Sequence, residues 1–169
     1  MKEWKIEKIF KIRNLPANTL ITDGMMLFDY YDSYMIKRKT DDSIETIVEK
    51  ILALPCWIKI ALQIRYFLIV KPFGLTTGRF DNTNESSEMN SEPVPIIKKN
   101  KNEIVMGSDD KHFYYRISVM KKEVGQESEI YLNTVVKFNN VWGKIYFLPV
   151  KMGHKLVVKS LLKMLISKS

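Results

Sequence analysis

The chain has 169 residues, of which 46% are hydrophobic, and carries a formal net charge of +8. Such a length predicts one ordinary globular domain, spanning residues 1–169, that buries roughly 70% of its unfolded surface. The single cysteine, Cys56, excludes an internal disulfide, and no Cys and His spacing resembles a zinc site. We therefore expect a reducing compartment, and neither a metal nor another cofactor.

The positive charge does not by itself indicate a partner. Lysine dominates it, with 22 lysines against five arginines, and no nucleic-acid motif accompanies it. We interpret it as a solvated surface and expect no nucleic-acid partner. The first eight residues interrupt every apolar run with charge, unlike a secretory signal. The most apolar segment, 57–70, is shorter than the ~20 residues of a membrane span, so a cytoplasmic protein is expected.

The first half of the chain predicts one strand and two helices. The N-terminal segment 1–22 receives no assignment. An aromatic-rich run from Met25 to Arg38 predicts the first strand. Apolar residues at helical spacing follow, with Asp42 as the expected N-cap, and Pro55 is expected to end this helix and open a second one.

A polar segment then separates the two halves of the sequence. Residues 79–92 are rich in Asp, Asn, Glu and Ser. Such a composition cannot bury enough surface to offset its ordering entropy, so we expect a mobile loop.

The second half predicts strands followed by a helix. Apolar residues alternate from Phe113 to Val119, which is typical of an antiparallel strand with one face on a core. We predict strands at 95–97, 103–106, 112–122, 129–138 and 141–150, with turns at 125–127 and 139–140. The stretch from His154 to Ile166 predicts an amphipathic C-terminal helix.

This element order gives an α+β fold in which a curved antiparallel sheet wraps around the long C-terminal helix. It resembles the helix-grip fold of the START and birch-pollen-allergen superfamily, in which a cavity opens between sheet and terminal helix. Within that superfamily the chain is similar to an uncharacterised bacterial family of unknown function, over roughly 25–166. The resemblance rests on Asp29–Tyr34, Pro55–Ile58, Leu62–Arg65, Gly107–His112 and His154.

Two residues are weak candidates for proton transfer. Asp32 shares a strand face with Tyr30 and Ile36, and a buried carboxylate there would need a partner, for which Arg65 is the expected residue. A structural ion pair is the favoured interpretation of Asp32, ahead of a general acid or base. His154 is expected at the start of the last helix, where capping or packing is favoured over catalysis.

A third group has the side chains of metal ligands. Asp109, Asp110 and His112 lie in one polar turn, but adjacent acids in a turn more often bond the local backbone. We interpret them as turn residues.

Aromatic residues are the remaining functional signal. Small-molecule pockets are typically lined by aromatic side chains with a few polar groups, although core packing alone explains most aromatics. We predict that a small apolar or amphipathic ligand would contact Tyr30, Tyr34, Trp57, Tyr115, Phe138 and Phe147. The alternative is a cyclase-, hydrolase- or isomerase-like enzyme that uses Asp32 or His154. A third hypothesis, an anionic partner for Lys151, Lys155, Lys159 and Lys163, ranks below a solvated helix face.

Overall fold

A computed structural model describes residues 8–24, 27–65, 94–109 and 111–167, without the side chains of 61–65 and 167. The predicted loop at 79–92 lies outside the described residues. The strands are β1 (Phe10–Ile12), β2 (Tyr30–Arg38), β3 (Ile96–Lys99), β4 (Glu103–Asp109), β5 (Phe113–Val124) and β6 (Glu127–Phe138). The helices are a short 3₁₀ helix (Leu20–Thr22), α1 (Ile44–Leu52), α2 (Cys56–Arg65) and α3 (Val141–Ser167).

The six strands form one antiparallel sheet in the order β1-β2-β6-β5-β4-β3. The longest pairing joins β5 to β6 through a two-residue turn, because Val124 faces Glu127. Gly125 begins that turn at φ +63°, which glycine adopts without steric cost. This curved sheet with a long C-terminal helix is the predicted α+β helix-grip arrangement.

The main core lies between the sheet and the helices. It consists of side chains from four strands and three helices: β2, β4, β5, β6, the sheet-facing side of α1, Ile58 of α2 and the C-terminal half of α3. Its most buried members are Ile36, Val119, Ile130 and Leu162. The predicted alternation is confirmed, since Ile117 and Val119 of β5 and Ile130 and Leu132 of β6 all contact this core.

The opposite sheet face is covered by the N-terminal segment. Ile21 packs on Val105 and Val135. The buried Glu103 carboxylate fixes this segment, since it accepts hydrogen bonds from the Thr19 hydroxyl at 2.5 Å and the Leu20 amide at 2.7 Å. The segment to which the sequence assigns no element thus contains β1 and a 3₁₀ helix.

The predicted strand at 141–150 is wrong, because Val141–Ser167 is one continuous helix. Asn140, predicted in a hairpin turn, caps α3: its side-chain oxygen accepts a hydrogen bond from the Gly143 amide at 3.0 Å. The β-branched and aromatic content of the segment favours a strand locally. The cap and the burial of one helix face outweigh that preference.

The predicted cap of α1 is also wrong by one residue. Ser43 is the N-cap, and its hydroxyl accepts from the Thr46 amide at 3.3 Å. Asp42 instead forms an ion pair at 2.6 Å with Lys50, which lies in the last turn of α1. Pro55 does separate α1 from α2, and its carbonyl accepts from the Ile58 amide.

Candidate functional site

A buried carboxylate lies at the centre of β2. The side chain of Asp32 is 3% exposed, on the face that meets the helices. Its Oδ2 accepts a hydrogen bond from the Tyr30 hydroxyl at 2.7 Å, and its Oδ1 lies 3.3 Å from Nε2 of His154. The predicted face of Asp32 is therefore right. His154 contacts the carboxylate, whereas the side chain of the expected partner, Arg65, lies outside the described residues.

His154 lies well inside α3, not at its start as predicted, because the helix begins at Val141. Tyr146, Val150, His154 and Val158 recur every four residues and so share the sheet-facing side of α3. His154 thus stands between two apolar parts of the helix. A capping role at the helix start is excluded by this position.

Asp32 lies between two apolar groups of the sheet, as His154 does on α3. Asp32 is opposite Thr134 in β6, with Tyr30 opposite Val136 on one side and Tyr34 opposite Leu132 on the other. Tyr34 and Leu132 belong to the main core, whereas Tyr30 and Val136 belong to a second cluster. The Asp32–His154 pair therefore marks the boundary between two apolar clusters.

The surroundings of Asp32 favour its ionised form. Burial raises the pKa of this carboxyl, but the hydrogen bond and charge of His154 and the hydroxyls of Tyr30 and Thr134 outweigh it and hold the pKa below its usual value. The Thr134 hydroxyl contributes as a nearby dipole, since it makes no hydrogen bond of ordinary geometry. Burial and the adjacent carboxylate raise the pKa of Tyr30 in turn. Asp32 is thus a carboxylate at neutral pH and Tyr30 a donor.

The second cluster is aromatic. Phe113 stacks on Tyr146 with ring centroids 5.2 Å apart, and Phe147 meets Tyr30 at 4.8 Å and Phe138 at 5.3 Å. Phe113, Tyr146 and Phe147 are buried, whereas Tyr30, Tyr115 and Phe138 are partly exposed. The cluster thus has a packed interior and an accessible edge.

Four of the six predicted ligand residues meet in this aromatic cluster: Tyr30, Tyr115, Phe138 and Phe147. Tyr34 lies in the main core at 2% exposure, and Trp57 lies on α2 at 46% exposure. The six predicted residues do not include Phe113 and Tyr146, which also belong to the aromatic cluster. The four-residue spacing of Tyr146, Val150, His154 and Val158 is the signal that could have placed Tyr146 on the same side of α3 as His154.

The candidate metal residues do not converge in the described part of the chain. Asp109 forms an ion pair with Arg116. Nδ1 of His112 is 3.2 Å from the side-chain oxygen of Asn140, the residue that caps α3. Asp110 lies outside the described residues. The two described side chains thus contact other side chains of the protein, Arg116 and Asn140.

Comparison with known proteins identifies the family. Residues 25–161 match the family described as "Protein of unknown function (DUF2867)", and the chain belongs to it. The match includes both Asp32 and His154. No curated protein and no solved structure matches the chain. Among the described residues, no helix is long and apolar enough to cross a membrane.

Proposed function

We propose that the protein binds a small amphipathic molecule between the edge of the aromatic cluster and the Asp32–His154 pair. The observation that carries the proposal is a histidine that contacts a buried carboxylate through one ring nitrogen, while the other nitrogen has no hydrogen-bond partner among the described residues. Of the two ring nitrogens of His154, Nε2 is the one that contacts Asp32. Its Nδ1 is the polar atom that a ligand would meet.

The contact with Asp32 decides which ligand group fits. An ionised carboxylate can only accept hydrogen bonds, so Nε2 of His154 carries the hydrogen of the 3.3 Å contact. In a neutral imidazole Nδ1 is then an acceptor. In a protonated imidazole Nδ1 is a donor instead, so the expected polar group is a hydroxyl, which can donate to the neutral form and accept from the charged one.

The apolar part of the ligand is expected to pack against the exposed edge of the aromatic cluster. The partly exposed rings of Tyr30, Tyr115 and Phe138 line the edge of the cluster on the same sheet face as Asp32. Aromatic walls with one or two fixed polar atoms are typical of small-molecule sites. The helix-grip fold supports the proposal by analogy, since superfamily members that it resembles hold ligands between sheet and terminal helix.

Native mass spectrometry of the protein purified from cells would show whether a hydrophobic molecule is retained. As a defined probe, 2-naphthol combines an aromatic body with a hydroxyl donor. The chain has only two histidines. Imidazole ¹⁵N spectra should therefore show a shift at His154 on addition of 2-naphthol, with His112 as an internal reference. Equal or absent shifts at both histidines would reject the site.

A matched pair of tyrosine variants tests the polar end. The Tyr30 hydroxyl donates to Asp32 at 2.7 Å, and the Tyr131 hydroxyl donates to Glu129 at the same distance, away from the site. Tyr30→Phe removes the hydroxyl that positions Asp32 against His154. If about 1 kcal/mol of that positioning is lost from the bound state, 2-naphthol binding should weaken about fivefold. Tyr131→Phe should leave binding unchanged. Equal effects of the two substitutions would contradict the proposed location.

A proton-transfer enzyme is the second candidate function. A carboxylate that fixes one imidazole nitrogen leaves the other oriented as a general base, as cyclases, hydrolases and isomerases require. The specific observation is again the Nε2–Asp32 contact. Incubation of the retained molecule with the protein separates the two functions. Conversion that His154→Gln abolishes would indicate an enzyme, whereas recovery of the unchanged molecule would indicate a carrier.

A further inference from the structure

The outer side of α3 combines two features that are absent from its sheet-facing side. Large apolar residues there are between 49% and 76% exposed, and they follow one line along the first half of the helix. They are Val141, Ile145, Leu148, Met152 and Leu156. Steps of four, three, four and four residues keep them on one side, over a length of about 22 Å. We call this line the apolar ridge.

Lysines border and continue the apolar ridge. Lys144 and Lys155 border one side of it, and Lys159 and Lys163 extend the same side toward the C-terminus, by helical geometry. Lys151 lies further round the helix, with its ammonium 5.1 Å from the centre of the Tyr30 ring. All five are exposed, and α3 contains no acidic residue. None of the five forms an ion pair with a residue that the structure describes. The exposed side of α3 is thus both apolar and strongly positive.

We propose that the apolar ridge and its lysines dock onto an anionic phospholipid surface, with α3 parallel to the plane of the membrane. Helices of this composition insert apolar side chains at the level of the headgroups, while lysines contact the lipid phosphates and carboxylates. Exposed Trp142 lies beside the ridge, and tryptophan favours that interfacial depth.

Charge complementarity selects lipid over the other possible occupants. A second copy of the chain would add five more lysines, and α3 offers no acidic residue to neutralise them. A nucleic acid would pair with the lysines, but it would leave the apolar ridge in water. An anionic bilayer satisfies both features. The ridge lies opposite the Asp32–His154 pair on α3, and the substitutions that test it leave out Lys151, which lies over Tyr30 of the proposed ligand site.

Vesicle sedimentation tests the proposal with the full chain. Vesicles containing about one-third phosphatidylserine should bind the protein at about 0.15 M salt, and phosphatidylcholine vesicles should not. Binding to both equally, or to neither, would overturn the proposal. Trp142 reports the geometry. Its emission should be quenched by brominated acyl chains, and Trp142→Phe should remove that component.

Matched substitutions separate the two parts of the surface. Leu148→Asp with Met152→Asp should lower the partition coefficient at least tenfold, whereas Leu27→Asp, at another site 75% exposed, should not. Charge reversal to Glu at Lys155, Lys159 and Lys163 should also lower it at least tenfold. The control reverses three exposed lysines elsewhere, Lys39, Lys101 and Lys122, with the same change in net charge.

Three outcomes would contradict lipid docking. An equal fall in the partition coefficient for the two triple lysine variants would mean that net charge alone, and not the position of the lysines, determines binding. A dimer in solution that Leu148→Asp dissociates, without vesicle binding, would assign the ridge to a second copy. Tight binding to duplex DNA that is insensitive to Leu148→Asp would assign the lysines to nucleic acid. Circular dichroism and the melting temperature of each variant, compared with the wild type, confirm that folding is intact.

Discussion

Individual buried polar groups give the most direct tests of this structure. Glu103 is 1% exposed and accepts from both Thr19 and Leu20. Glu103→Gln keeps the shape of the side chain but replaces one acceptor oxygen with an NH₂ donor, which must then face another donor. We expect the free energy of unfolding to fall by about 1–3 kcal/mol in urea titrations.

A second substitution tests whether the loss of stability in Glu103→Gln comes from the hydrogen bond with the Thr19 hydroxyl. Thr19→Ser keeps the hydroxyl that donates to Glu103, so it should cost less than Glu103→Gln. If Thr19→Ser costs as much, packing of the Thr19 methyl group, rather than the hydrogen bond, holds the N-terminal segment.

Asp32 should make stability depend on pH. Its pKa is lowered in the folded protein, since the contacts with His154 and the two hydroxyls outweigh burial. The folded state therefore gains stability above the ordinary carboxyl pKa of about 4, and loses it as the pH falls through the lower folded value. Asp32→Asn should cost about 1–3 kcal/mol at neutral pH.

The difference between wild type and Asp32→Asn should then shrink as the pH falls below about 4. Urea unfolding at several pH values measures this difference. Asp41→Asn, a substitution of an exposed carboxylate before α1, is the control and should leave the curve unchanged. A difference that grows toward acid would show that Asp32 is protonated in the folded protein.

At the scale of elements, two glycines of α3, one in its first turn and one near its middle, give opposite predictions. A Cβ at Gly143 would collide with the carbonyl oxygen of His112, whereas a Cβ at Gly153 meets nothing within 4 Å. Alanine normally stabilises a helix relative to glycine by up to about 1 kcal/mol. Gly153→Ala should therefore raise the melting temperature.

Gly143→Ala should lower the melting temperature instead, because backbone of β5 or α3 must move to relieve the collision. Thermal unfolding followed by circular dichroism compares the two variants. Stabilisation by both substitutions would mean that α3 does not approach His112 as closely as described.

The sequence identifies strands where local pattern and tertiary environment agree. In β5 and β6 the alternating residues Val119, Ile130 and Leu132 contact the main core as predicted. The opposite face, predicted to lie off the core, is partly covered by the N-terminal segment. From Val141 to Val150 local preference and environment disagree. There β-branched and aromatic side chains favour a strand, and the deciding interactions, the Asn140 cap and packing on the sheet, involve other elements.

The candidate site is predictable only in part for the same reason. The face of Asp32 follows from period-two geometry within β2. Its partner does not, because His154 is 122 residues away in the chain and the position of α3 decides the contact. The edge aromatics Tyr30, Tyr115 and Phe138 were found by residue type, but type alone does not exclude Trp57, which lies on α2.

At the scale of the whole molecule, the protection of backbone amides from hydrogen exchange should depend on the position of each strand in the sheet. A row of buried polar side chains crosses its centre: Ser33 donates to Asn133, which donates to Ser118. All four residues of β3, in contrast, are exposed at the sheet edge. Native-state hydrogen exchange should be slowest at the centres of β2, β5 and β6 and fastest in β3. Comparable exchange in β3 and β6 would contradict the described strand order.

The pairing of β2 with β6 also sets the order in which the chain can fold. The hydrogen bond between Ser33 and Asn133 joins residues 100 positions apart. As the ribosome releases the chain from its N-terminus, β2 and α1 emerge long before the strand that pairs with β2, and long-range pairing of this kind is slow. The β5–β6 hairpin is local and can form first, so β2 would join a preformed hairpin. Until then the apolar side of β2 is available to chaperones.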